Sequence, residues 1–144
     1  MLEIDVGARS AAAPERVWAL LADVSTWPRW APFDDAEVES GEGVGEIRRF
    51  RAGRVTTRER VTELDPPRRY AYEFVSGLPV RDYRAEVTLS PAADGGTAVR
   101  WQSSFRAKLP GTGWLVRRRL AQFVAETAEG LAREAEKPVP SWRV

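Results

Sequence analysis

A chain of 144 residues is long enough for one domain that buries about two thirds of the surface its unfolded form exposes. A hydrophobic share of 43%, a charged share of 30% and a net charge of +1 give no bulk electrostatic reason to bind nucleic acid or an anionic membrane. Cysteine and histidine are both absent. That excludes disulfides, thiolate nucleophiles, Cys/His zinc sites and every Ser-His or Cys-His triad, and it removes the usual general base near neutral pH.

The chain opens on alternation. Leu2, Ile4, Val6 and Ala8 interleave with Glu3, Asp5, Gly7 and Arg9, which predicts a strand with one buried and one wet face. This acidic, alternating start is unlike a signal peptide, and the longest apolar run, Val17 to Ala22, is far too short to span a bilayer. A cytoplasmic protein is the expectation.

Pro14 then sits where a helix favours its start, since proline lacks an N–H that the first turn would leave unpaired anyway. Val17, Leu20, Leu21 and Val24 follow at helical spacing, and the helix is expected to stop near Ser25. Trp27-Pro28-Arg29-Trp30-Ala31-Pro32-Phe33 packs three large aromatics and two prolines into seven residues. Such a segment is too stiff for a long helix or a central strand and too apolar for a free loop, so it reads as a lid or wall over a cavity.

From Asp34 to about Ala107 the pattern is that of strands. Gly41-Glu42-Gly43-Val44-Gly45, Ala52-Gly53, Asp65-Pro66-Pro67, Ser76-Gly77-Leu78-Pro79 and Asp94-Gly95-Gly96 carry turn chemistry and divide the stretch into six strands, an antiparallel meander. Gly41, Gly43 and Gly45 precede a strand, not a helix, and so form a hairpin turn and no phosphate loop. Asp34, Asp35 and Glu37 cluster without the spacing of a hard-metal loop, and nothing specifies a cofactor. Pro110-Gly111-Thr112-Gly113 ends the strands. A long helix is predicted from about Trp114 to Glu136, with Val116, Leu120, Phe123, Thr127 and Leu131 on one face and Gly130 as a weak point that permits a bend. The tail from Lys137 to Val144 is expected to run irregularly. The expectation is one domain over residues 1–144.

The motif in residues 13–33, P-E-x-V-W-x-L-L-x-D followed by W-P-x-W-x-P, resembles the opening of the SRPBCC (START-like) superfamily, in its polyketide cyclase/dehydrase-like branch. The resemblance implies an α+β helix-grip fold: a curved antiparallel sheet of about seven strands around a long C-terminal helix, with a short helix pair after the first strand. A sheet with one apolar face needs a cover, and a curved sheet gripping a helix leaves space for a ligand between them.

Period-2 reading assigns the walls of that space. Tyr83, Ala85, Val87 and Leu89 share one face, as do Val99, Trp101, Ser103 and Phe105, and as do Tyr70, Tyr72 and Phe74. An interior so rich in amphipathic rings differs from a packed Leu/Ile/Val core, because buried Tyr and Trp need polar partners. The expected ligand-binding residues are Trp30, Phe33, Tyr72, Tyr83, Trp101, Ser103, Phe105, Leu120 and Phe123. Glu59 shares a face with Val55, Thr57 and Val61, so it points inward. On the neighbouring strand either Ile47/Arg49 or Arg48/Phe50 faces in; Ile47/Arg49 is favoured, and an arginine is the expected ion-pair partner of Glu59.

Three functions compete. The first is binding of a hydrophobic or aromatic small molecule, by a monomer or homodimer without cofactor or metal. The second, which the branch implies, is a polyketide aromatase/cyclase or dehydratase, for which Glu59, Arg49, Tyr83 and Tyr72 would polarise a carbonyl and accept an acidic proton. The third is a protein-partner module with the Trp27 to Phe33 segment exposed as its contact patch. Arg117-Arg118-Arg119, with Lys108 nearby, forms the basic cluster of the chain and reads first as a solvated face.

Overall fold

The computed structural model describes residues 1–138; all but the start of the expected irregular tail lies outside them. Strand β1 (Leu2–Ser10) leads into helix α1 (Pro14–Ala22) and a 3-10 segment (Val24–Arg29). Six strands follow: β2 (Asp35–Ser40), β3 (Ile47–Ala52), β4 (Val55–Asp65), β5 (Arg69–Ser76), β6 (Val80–Pro91) and β7 (Thr97–Ala107). Helix α2 (Gly113–Ala135) comes last. The sheet has seven strands in the order β1-β7-β6-β5-β4-β3-β2, every pair antiparallel. This is the expected helix-grip architecture. No helix among the described residues is long and apolar enough to cross a membrane.

Alternation places the core. Tyr83, Ala85, Val87 and Leu89 of β6 and Val99, Trp101, Ser103 and Phe105 of β7 are all buried on the face that α2 covers. Register slips sharpen the curvature. One lies between β4 and β5 at Val61/Glu63, and another between β6 and β7 at Arg81/Arg84, where Asp82 adopts a left-handed conformation (φ 54°).

Helix α1 ends at Ala22, short of Ser25, because Asp23 turns extended and its carboxylate accepts from the Ser25 N–H and hydroxyl at 3.1 and 2.6 Å. The orphaned carbonyls behind it are served by side chains. Thr26 Oγ1 donates to Leu20 O at 2.8 Å and Trp27 Nε1 to Leu21 O at 3.2 Å. Arg48 of β3 donates to Leu21 O and Ala22 O at 2.8 and 2.7 Å, placing a cation at the helix C-terminus, where the dipole favours it.

Arg48 therefore corrects the register expected for β3. Arg48 and Phe50 face inward, Arg48 only 2% exposed, while Arg49 lies on the outer face and pairs with Glu37. Phe50 decides the matter: fully buried, it packs 4.7 Å from Phe33 and 5.0 Å from Trp27, ring centre to ring centre. The inward arginine is tolerated because α1 needs donors, Glu46 lies at 2.7 Å, and the Tyr70 ring sits 5.2 Å beneath the guanidinium.

The aromatic segment is packed inside the molecule. Trp27 and Trp30 are both buried, their rings 4.6 Å apart, so the segment presents no exposed tryptophan patch. Gly130 explains how the segment lies so close to α2. The helix runs through Gly130 without interruption, and a Cβ there would collide with the Trp30 carbonyl oxygen. Gly→Ala in a helix ordinarily stabilises by about 1 kcal/mol. Gly130→Ala should reverse that sign and destabilise by roughly 1–3 kcal/mol, read as a lower urea midpoint at unchanged slope.

Candidate functional site

Between sheet and α2 lies a cavity of about 240 Å³. Its sheet wall is Glu59, Tyr72, Phe74, Tyr83 and Trp101; Trp27, Phe33 and Phe50 close one side. Leu120, Phe123, Val124 and Thr127 of α2 form the opposite wall. Ala52, Val55 and Leu78, from the β3–β4 and β5–β6 ends, mark the mouth with Arg119 from the first turns of α2. The rings interlock: Phe74 stacks on Tyr83 at 4.1 Å, and Trp27 meets Trp101 edge-on at 6.1 Å.

Of the residues expected to bind ligand, Phe33, Tyr72, Tyr83, Trp101, Leu120 and Phe123 stand on this cavity wall. Trp30, Ser103 and Phe105 do not: all three are buried, Trp30 behind Trp27 and Phe105 against Tyr83 at 5.8 Å. Trp30 and Trp101 thus belong to one core cluster, but only Trp101 borders the cavity. Arg49, on the outer face, is remote from it. Trp27, Phe50, Thr57, Phe74 and Arg119 are among the cavity residues that sequence reasoning did not assign to ligand. Phe50 was lost to the wrong register, while Thr57 shares the period-2 face of Glu59 and was open to inference.

The polar part of the wall is compact. Tyr72 Oη accepts from Trp101 Nε1 at 3.2 Å. Burial drives the Tyr72 phenol well above its ordinary pKa, with neighbouring Tyr83 and Glu59 adding to the rise. Burial also pushes Tyr83 to about 12; Ser103 beside it favours the anion, yet Ser103 Oγ forms no hydrogen bond of ordinary geometry. Both phenols are therefore neutral donor-acceptors at physiological pH.

Glu59, like Ser103, is left without a partner. It faces Arg48 across the β3–β4 ladder, but the expected ion pair does not form, because the Arg48 guanidinium is taken by Glu46 and the end of α1. Glu59 is 5% exposed and its Oε1 is without a partner. Burial pushes its pKa up to about 8, the Arg48 charge offsetting only part of the rise. The outer face is different in kind, a lattice of exposed ion pairs such as Arg100–Asp5 at 2.6 Å and Arg60–Glu73 at 2.7 Å.

Residues 1–136 match the family model for polyketide cyclase / dehydrase and lipid transport. The chain belongs to this family. No curated protein matches it in sequence. Solved structures share its fold at low identity. XoxI from Bacillus cereus is 18% identical, with 93% of this chain and 95% of that one covered at a TM-score of 0.81. A START superfamily protein from Mycobacterium smegmatis is 15% identical, with 93% and 97% covered at 0.80. The ZhuI aromatase/cyclase from Streptomyces sp. R1128 is 22% identical, with 98% and 97% covered at 0.80. At these identities the likeness extends to the fold.

Proposed function

We propose that this member of the family binds a hydrophobic, ring-bearing small molecule in the cavity between sheet and α2. The observation that carries the reading is the cavity itself, about 240 Å³ walled by eight aromatic side chains. A core built only for stability fills such space, since each void forfeits packing contacts. The volume suits a two-ring molecule more than a long lipid chain.

The test is binding of N-phenyl-1-naphthylamine, a neutral apolar fluorophore that brightens out of water. The wild-type protein should bind it with one-to-one stoichiometry. Leu120→Trp, which inserts a large ring from the α2 wall, should weaken binding at least tenfold while leaving the unfolding midpoint within a few degrees. Equal affinity in the variant would place the probe elsewhere and overturn the reading.

One observation favours a second reading, cyclisation or dehydration of a poly-β-ketone, in line with the polyketide cyclase / dehydrase description of the family and the aromatase/cyclase name of the Streptomyces structure. Glu59, Tyr72 and Tyr83 line one wall of the cavity. Neutral phenols would polarise a carbonyl, and the Glu59 carboxylate, once ionised, would take an acidic α-proton. Activity that rises with pH through about 8 and vanishes in Glu59→Gln would support it.

A further inference from the structure

We propose that Glu59 is a hydrogen-bonding subsite that selects ligands carrying an uncharged acceptor oxygen, a ketone above all, on an otherwise apolar ring system. This rests on the binding reading above. Within the described residues, the protein supplies Glu59 Oε1 with no partner. Its cross-strand neighbour Arg48 is spent on α1 and Glu46, and among the described residues no hydrogen bond joins Glu59 to Tyr72, whose Oη accepts from Trp101. A buried carboxyl left unpaired is costly, Glu59 lines the cavity, and an occupant that hydrogen-bonds its carboxyl recovers part of the loss.

The ionisation state of the carboxyl decides which partner fits. The titratable and charged groups around it are Arg48 from β3, Tyr70 and Tyr72 from β5, Tyr83 from β6, and Arg119 from α2 on the same cavity. No salt bridge joins either arginine to it among the described residues. Desolvation outweighs the Arg48 charge, so near neutral pH Glu59 holds its proton and offers an O–H donor to the cavity. Its complement is a carbonyl oxygen. A ligand ammonium would instead need the ionised carboxylate, and its affinity would rise with pH.

A matched pair of probes tests this: 2-acetylnaphthalene, which has the carbonyl, and 2-ethylnaphthalene, which lacks it. Affinities are read by quenching of cavity tryptophan fluorescence at pH 6 and pH 9.5. The wild-type protein should favour the ketone by roughly tenfold at pH 6 and lose that preference at pH 9.5. Glu59→Gln, whose amide keeps a donor, should retain the preference at both pH values, and Glu59→Leu should abolish it at both. Equal wild-type affinities at pH 6, a preference growing with pH, or a preference surviving in Glu59→Leu would each overturn the subsite while leaving cavity binding intact. Failure of both probes to bind would overturn the binding reading and the subsite with it.

Discussion

Arg48→Ala should cost on the order of 3–5 kcal/mol, whereas Arg49→Ala, one residue away, should change stability by less than about 0.5 kcal/mol. Arg48 holds two carbonyls at the end of α1 and the Glu46 carboxylate, with Tyr70 Oη a more distant acceptor at 3.4 Å. Removing it leaves those groups buried without donors and withdraws the cation from the helix C-terminus. Arg49 holds one partly exposed ion pair with Glu37, which solvent replaces at little cost. Urea unfolding of the two variants side by side is the check. Comparable midpoints would mean that α1 is capped by something other than Arg48.

The same two residues show where the sequence was legible and where it was not. Strands β5, β6 and β7 were legible because each alternates with aromatic or branched groups consistently on one side, and a one-residue slip would expose them all. The β3 segment is Ile-Arg-Arg-Phe, in which either register buries one arginine and one apolar residue. Only tertiary context resolves it: Trp27 and Phe33 wait for Phe50, and the α1 carbonyls wait for a guanidinium. Three-dimensional fit likewise separates Tyr83 from Phe105. Both point inward from adjacent strands, yet one meets open space and the other is sealed. Gly130 shows the same limit, since its role depends on the carbonyl of Trp30, far away in the chain.

Glu59→Gln should stabilise the protein in alkaline buffer and do almost nothing near pH 4.5. The carboxyl has its ordinary pKa of 4.5 when the chain is unfolded and about 8 in the folded state. Between those values the folded state binds one proton more than the unfolded state, so stability falls as pH rises from about 4.5 to 8 and levels off beyond. Glutamine fills the same volume without a proton to lose. Every tenfold difference in proton affinity between the two states corresponds to about 1.4 kcal/mol, and solvent relaxation in the cavity reduces the ideal sum. An advantage on the order of 3 kcal/mol at pH 8.5 is expected, about 6–12 °C in the melting midpoint for a chain of this size. Thermal melts of both proteins from pH 4.5 to 9 would show two curves that meet at the acid end and diverge steadily. Parallel curves would mean that Glu59 ionises freely, and that water or a rearranged Arg48 pairs with it. That outcome would also weaken its role as a donor to ligand, because the unpartnered, desolvated carboxyl that lowers stability is the same group that makes the cavity selective.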